Sequence, residues 1–134
     1  MSGIRVLLVD DETECTDMLS LRLARRGMIT AAAASGEEAI AYLATNEVDV
    51  VVMDVKMPGM GGIAALEIIR REHPGLSVIM LSGHADMTVA VEGMRRGAFG
   101  YLMKPTDFDE LLYKIEDACQ QCRLDRKLLE GSPV

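Results

Sequence analysis

The sequence predicts an α/β protein in which five parallel strands form one sheet that is covered by helices on both faces. Five short apolar runs alternate with segments of helical periodicity along the 134 residues. The runs are almost continuously apolar, which indicates strands that are buried on both faces of a sheet. Each gap between runs has room for one helix, as the crossover between two parallel strands requires.

The predicted strands are rich in Val, Ile, Leu and Met, and each has the length of a buried strand. They span residues 4–9, 28–33, 49–53, 77–81 and 99–103. The first predicted helix spans residues 13–26 and stops at Gly27. Its apolar residues at helical spacing are Met18, Leu19, Leu21 and Leu23.

Capping signals mark the remaining helices. Ser35 precedes two glutamates, which is typical of a helix N-terminus. The third helix spans 62–72 and ends before a His-Pro-Gly sequence. Asp86 caps the predicted helix 87–96, which stops at Gly97, and Asp107 caps a last helix from 108 to about 129.

Right-handed crossovers arrange such a chain as a doubly wound sheet, most simply in the flavodoxin-like strand order 2-1-3-4-5. The last helix is predicted to pack through one stripe, which Leu128 and Leu129 extend. The other members of the stripe are Leu111, Ile115, Cys119 and Cys122. The end of this helix is interpreted either as ordinary packing with a frayed end, or as a dimer contact or the start of a linker.

Composition excludes several classes of function. Lys and Arg number 14 against 21 Asp and Glu, giving a net charge of −7, which argues against nucleic-acid binding. No apolar run has the length of a membrane span, and no signal peptide is predicted, so we expect a cytoplasmic protein. Three cysteines cannot all pair, and Cys119 and Cys122 are interpreted as small apolar residues rather than a redox or zinc motif.

Chemically useful residues follow the predicted strands. Asp10 and Asp11 follow the first strand, Asp54 the third, Ser82 the fourth and Lys104 the fifth. Carboxylates that share one pocket repel each other, and an all-oxygen site favours a hard cation such as Mg²⁺, or Mn²⁺. The loop after the first strand has no glycine-rich phosphate-binding sequence, so metal-bridged phosphoryl chemistry is favoured over nucleotide binding.

Four motifs together resemble the receiver domains of two-component response regulators. They are VDDE at 9–12, MDVKMPGMGG at 53–62, LSG at 81–83 and GAFGYLMKP at 97–105. The resemblance runs from about residue 5 to the last helix. It implies a receiver domain over residues 1–122, with a helical extension, linker or tail at 123–134.

The resemblance also implies roles for individual residues. Asp54 would accept a phosphoryl group, and Lys104 would contact the oxygens of that group. Mg²⁺ would be bound by Asp11, Asp54 and the backbone carbonyl of Lys56, and through water by Asp10. Ser82 and Tyr101 would be the switch residues, and the bond from Lys104 to Pro105 would be cis.

The expected partners are a sensor histidine kinase or phosphotransfer protein, and a downstream protein or output domain. A phosphorylation-dependent homodimer is a further expectation, and neither nucleic acid nor membrane is expected to bind this chain. The domain would catalyse only its own phosphorylation and dephosphorylation. Two alternatives stay open, namely a metal-dependent phosphohydrolase and an interaction module that works without phosphorylation.

Overall fold

A computed structural model describes residues 3–55, 57, 59–83 and 87–129. Strands and helices alternate along the chain. In order they are β1 (Arg5–Val9), α1 (Thr13–Ala24), β2 (Ile29–Ala33), α2 (Gly36–Thr45), β3 (Val50–Asp54), α3 (Gly62–Glu72), β4 (Ser77–Ser82), α4 (Met87–Arg95), β5 (Gly100–Met103) and α5 (Phe108–Leu129).

The five strands form a single parallel sheet in the order β2-β1-β3-β4-β5. This confirms the predicted fold class and strand order. In the register, Val9 of β1 lies opposite Met53 of β3, and Met53 lies opposite Met80 of β4. The carboxyl ends of the central strands therefore lie side by side at one edge of the sheet, which we call the carboxyl edge.

Two apolar cores lie on the two faces of the sheet. Leu23 of α1 and Ile115 of α5 pack with one core, whereas Leu43 of α2 and Leu66 of α3 pack with the other. Alternate residues of each central strand point into the two cores, so these strands must be apolar on both sides. This arrangement explains why their sequences show no alternation.

Two predicted burial patterns are wrong. β2 is an edge strand that only β1 pairs, so it is not buried on both faces, and Ile29 is 59% exposed. In α1, Met18 and Leu21 are exposed, while Leu23 is completely buried. Of the four apolar side chains, only Leu23 and in part Leu19 pack with the core, and the helix ends at Ala24 rather than at residue 26.

The capping residues explain several helix boundaries. The side-chain oxygen of Ser35 accepts a hydrogen bond of 3.1 Å from the backbone N–H of Glu38, as predicted for an N-cap. Gly97 follows α4 with a φ of +102°, a conformation that favours glycine and ends the helix. The predicted cap Asp86 lies outside the described residues.

The helix α5 runs without a break through Leu129. Leu111, Ile115, Cys119 and Cys122 are buried, as predicted, and burial raises the pKa of both thiols, which keeps them protonated. The predicted extension of this stripe is wrong, because Leu128 and Leu129 are exposed. Among the described helices, none has the length and apolarity to cross a lipid bilayer.

Gly62 begins α3 where the chain passes close to the end of β3. A Cβ atom at this position would lie 2.8 Å from the Cα and carbonyl oxygen of Val55 and 2.9 Å from the carbonyl oxygen of Asp54. These are backbone atoms, so a side chain at residue 62 has no rotamer that relieves the contact. The close approach holds the loop after β3 against the carboxyl edge.

We expect Gly62→Ala to lower the free energy of unfolding by about 1–3 kcal/mol, because the backbone after Asp54 must move. Gly3→Ala is the comparison variant. Its Cβ would meet nothing within 4 Å, so any loss there comes from its φ of +84° alone. Urea unfolding of both variants checks the expectation. If Gly62→Ala lost no more free energy of unfolding than Gly3→Ala, the expectation would be wrong.

Candidate functional site

The predicted site residues meet at the carboxyl edge of the sheet. Asp54 and Ser82 are the last residues of β3 and β4, and Asp10 and Lys104 directly follow β1 and β5. Two backbone hydrogen bonds continue the strand pairing there. The N–H of Val55 donates to Leu81, and that of Lys104 donates to Ser82, over 2.9 and 2.8 Å.

Three carboxylates form a compact cluster at this edge. One carboxylate oxygen from each of Asp10, Asp11 and Asp54 lies within 4.8 Å of the others. Asp10 and Asp54 are each only 7% exposed, whereas Asp11 is exposed. Like charges at such separations repel, so this cluster favours a nearby positive charge.

Lys104 supplies one positive charge. Its Nζ lies 3.3 Å from Oδ2 of Asp10 and 3.3 Å from Oδ2 of Asp54, so it bridges the two buried carboxylates. Partial burial by itself lowers the pKa of Lys104, but the charges of Asp54 and Asp10 outweigh it and raise the pKa above its ordinary value. The ammonium group therefore stays charged. The bond between Lys104 and Pro105 is cis, as the resemblance implies.

Sequence reasoning missed how the Asp10 side chain is oriented. Its Oδ1 accepts a 3.0 Å hydrogen bond from the backbone N–H of Glu12, two residues further on. This is the geometry of an Asx turn, and an aspartate directly after a strand was the signal for it. Because the turn holds Oδ1, the Oδ2 atom is directed at Lys104.

Glu12 and Cys15 lie near Asp10, with one ligand atom of each within 4.8 Å of an Asp10 carboxylate oxygen. The Cys15 side chain is exposed, yet partial desolvation and the negative charges of Glu12 and Asp10 raise the pKa of its thiol. The thiol therefore stays protonated at neutral pH. A protonated thiol is a poor metal ligand, so Cys15 adds no strong ligand to the acidic cluster.

The Ser82 hydroxyl has an unusual environment. Its side chain is completely buried, and Oγ has no hydrogen-bond partner within the part of the chain that the structure describes. A buried hydroxyl without a partner is destabilising, and such groups are rare in folded proteins. The hydroxyl is therefore available to a group that enters the site.

We expect Ser82→Ala to leave the free energy of unfolding unchanged or to raise it by up to about 1 kcal/mol, because the variant removes an unsatisfied group. Ser35→Ala is the matched control, and it should lose about 1 kcal/mol since it deletes a helix cap. Chemical denaturation of both variants checks this. A Ser82 variant that is less stable than the Ser35 variant would contradict it.

The remaining predicted site residues lie around this cluster or outside the described chain. Tyr101 is half-buried on β5 and packs against the core on the α2 and α3 face of the sheet. It also lines a surface concavity together with Thr106 and Glu110. Lys56, the predicted source of a metal-binding carbonyl, lies outside the described residues.

The acidic cluster has the donor set that a hard divalent cation requires. Its three described carboxylates face one described ammonium group, so the described side chains carry an excess of negative charge. All the clustered donor atoms are oxygens, which suits Mg²⁺ or Mn²⁺ better than a softer metal. The residues present therefore fit such an ion.

The fold and the site define a class of proteins: doubly wound α/β domains that carry an acidic cluster and a lysine at the switch point between β1 and β3. A family model described as the response regulator receiver domain matches residues 6–116. The chain belongs to this family, and it is a receiver domain of two-component response regulators.

Curated relatives include two bacterial regulators. The chain is 40% identical over 113 residues to the DNA-binding transcriptional regulator NtrC of Salmonella typhimurium, covering 84% of this chain and 24% of that protein. It is 41% identical over 116 residues to the regulatory protein AtoC of Escherichia coli, covering 87% of this chain and 25% of that protein. The chain thus spans about a quarter of the length of these relatives.

Solved structures agree with this assignment. The receiver domain protein of Clostridium thermocellum superposes with a TM-score of 0.85 at 32% identity, covering 90% of this chain and 98% of that one. The receiver domain of NtrX from Brucella abortus gives a TM-score of 0.82 at 33% identity, covering 86% and 98%. Both comparisons support the flavodoxin-like fold.

Proposed function

We propose that the chain accepts a phosphoryl group on Asp54 from a phosphohistidine of a sensor histidine kinase or a phosphotransfer protein. The observation that carries this proposal is the position of Asp54. It is a buried carboxylate at the end of a central strand, within an acidic cluster and 3.3 Å from a lysine ammonium group. Family membership supports the same chemistry.

The proposed step transfers a phosphoryl group from an imidazole nitrogen to a carboxylate oxygen. A carboxylate oxygen of Asp54 forms a bond to phosphorus while the N–P bond of the phosphohistidine breaks, and the electron pair of that bond returns to the imidazole. The Lys104 ammonium group, 3.3 Å away, favours the carboxylate form of Asp54, and a carboxylate attacks phosphorus without a general base. Lys104 stabilises negative charge on the phosphoryl oxygens as a point charge.

The proposed cofactor is Mg²⁺, with Mn²⁺ as a substitute. Asp11, Asp54 and the backbone carbonyl of Lys56 would hold it directly, and Asp10 through water. When bound, the ion neutralises charge on the phosphoryl oxygens. The all-oxygen donor set and the charge excess of the cluster support this choice.

The proposed output is a change of the surface formed by α4, β5 and α5. A phosphoryl group on Asp54 offers acceptor oxygens, and the buried Ser82 hydroxyl can donate a hydrogen bond to one of them. Movement of Ser82 leaves space that the neighbouring Tyr101 ring can fill. The surface would then shift between two packings and control a downstream partner, an output domain or a phosphorylation-dependent homodimer.

The proposed cellular setting follows from charge and composition. A net charge of −7 supports protein partners rather than nucleic acid for this chain. We propose a cytoplasmic location, since the three cysteines are all unpaired. The domain would act as a signalling switch and catalyse only its own phosphorylation and dephosphorylation.

Intact-mass spectrometry after incubation with a small-molecule phosphodonor and Mg²⁺ tests the proposal. We expect one added phosphoryl group per chain, and none when EDTA is present. A folded chain that takes up no group would support a phosphorylation-independent interaction module instead. Repeated turnover of a generic phosphate ester without stable labelling would support a phosphohydrolase.

A further inference from the structure

An open cavity of about 430 Å³ lies beside the acidic cluster, between α1 and α5. Volumes of roughly 300–1,000 Å³ are typical of sites for small organic ligands, and a cavity of roughly 150 Å³ already holds benzene. The apolar wall of this cavity consists of Leu19 of α1, Leu81 of β4, Leu111 of α5 and Pro105, which follows β5. The proposed phosphorylation uses none of these four residues.

The apolar wall is continuous with the core on the α1 and α5 face of the sheet. Leu81 and Leu111 belong to that core, and Leu19 packs against it while remaining half-buried. Thr106 lines the cavity as well, but its hydroxyl donates to the backbone carbonyl of Met103 over 3.2 Å. This wall therefore offers a ligand apolar contact rather than hydrogen bonds.

Two carboxylates and one ammonium group also line the cavity, those of Asp10, Glu12 and Lys104. Asp10 is already engaged, because its Oδ1 accepts the backbone N–H of Glu12 and its Oδ2 lies 3.3 Å from Nζ of Lys104. The Glu12 carboxylate is exposed and forms no ion pair within the described residues. The uncompensated charge at this cavity is therefore negative, and it lies on Glu12.

We propose that this cavity binds a small amphipathic cation, namely an organic amine whose apolar body packs against the wall and whose ammonium group pairs with Glu12. A cation complements the charge of Glu12, whereas an anion is repelled by it. The apolar body contributes most of the affinity through burial against the wall, since one exposed ion pair contributes about fivefold at most.

Occupancy of the cavity opposes cation binding at the acidic cluster, because the two places share Asp10. Its carboxylate lies within 4.8 Å of oxygens of Asp11 and Asp54, and also within 4.8 Å of an oxygen of Glu12. An ammonium group on Glu12 and a divalent cation in the cluster are like charges near one carboxylate, so each lowers the affinity of the other. The consequence for phosphoryl uptake rests on the proposed function, whereas binding of the amine does not.

Naphthylmethylamine is the probe for this site, because it joins one ammonium group to an apolar body. The chain has no tryptophan, so naphthalene fluorescence can be excited where tyrosine does not absorb. We expect titration of the full chain without Mg²⁺ to give a dissociation constant of about a millimolar or below. Naphthylmethanol, the neutral analogue, should bind about fivefold more weakly. Naphthylacetate should not bind, and methylamine at the same concentration should not displace the probe.

Two pairs of variants locate the site. Leu19→Ala removes part of the apolar wall and should weaken binding of the amine by about tenfold. Leu21→Ala, which alters an exposed residue of the same helix, should bind like the unmodified chain. Glu12→Gln should weaken binding by about fivefold, whereas Glu14→Gln removes the same charge from α1 outside the cavity and should change it little. Thermal unfolding verifies that each variant is folded.

Equal effects within either pair of variants would overturn the proposal, because the amine would then bind elsewhere or through general charge. Naphthylmethanol that binds as tightly as the amine would overturn the pairing with Glu12.

Mg²⁺ should weaken binding of the amine by about threefold relative to NaCl of equal ionic strength, and an unchanged dissociation constant would overturn the coupling. None of these measurements depends on phosphoryl labelling. A chain that binds the amine as expected but takes up no phosphoryl group would therefore contradict the proposed function alone.

Discussion

Asp54→Asn is expected to abolish phosphoryl labelling under conditions that label the unmodified chain once. The substitution keeps the size of the side chain, but it replaces an anionic nucleophile with a neutral amide that does not attack phosphorus. The other two carboxylates of the cluster, Asp10 and Asp11, remain in place. Intact-mass spectrometry with a small-molecule phosphodonor and Mg²⁺ measures the effect.

Asp117→Asn is the matched control for this experiment. Asp117 is an exposed carboxylate on α5, outside the acidic cluster, so its loss changes the net charge by the same amount without touching the site. It should label like the unmodified chain. Thermal unfolding of both variants verifies that each is folded. A folded Asp54→Asn variant that still gains one phosphoryl group would show that the acceptor is another residue.

Lys104→Met is expected to slow phosphoryl uptake by about a hundredfold, the usual cost of losing one preorganised charge that faces the reacting group. Methionine keeps most of the aliphatic stem, so packing beside Asp10 and Asp54 changes little. The effect on cation binding should have the opposite sign. The acidic cluster loses its neutralising ammonium group and should bind Mg²⁺ as tightly as before or more tightly.

Two measurements separate these effects. The rate of mass increase with a phosphodonor reports the chemistry, and isothermal titration calorimetry reports Mg²⁺ binding in its absence. Lys114→Met, on α5 beside Gly100, is the control for the loss of one lysine. If Mg²⁺ affinity fell together with the labelling rate, Lys104 would act through the cation site rather than on the phosphoryl oxygens.

Much of the fold was predictable because parallel strands at the centre of a sheet are apolar on both faces. β1, β3 and β4 have this pattern, and their order follows from right-handed crossovers. The same reasoning gives the wrong burial for β2. Its sequence is as apolar as an interior strand, yet it lies at an edge where Ile29 faces solvent. Composition cannot distinguish an edge strand from an interior one when the edge is also apolar.

The candidate site was predictable for a similar reason. The carboxyl ends of parallel strands meet at one edge, so residues that are far apart in sequence become neighbours through topology alone. Details that depend on single atoms were not predictable. The unpartnered Ser82 hydroxyl and the close approach of the backbone to Gly62 depend on the positions of side chains and backbone in three dimensions.

The charge excess of the acidic cluster also bears on how a cation approaches. The exposed side of this edge presents the Asp11 carboxylate, with those of Asp10 and Asp54 directly beneath it. At physiological ionic strength such a field extends about 8 Å into solvent before salt screens it. A divalent cation is therefore attracted to this edge before contact, so its association rate falls with added monovalent salt, and the bound ion then removes the excess charge.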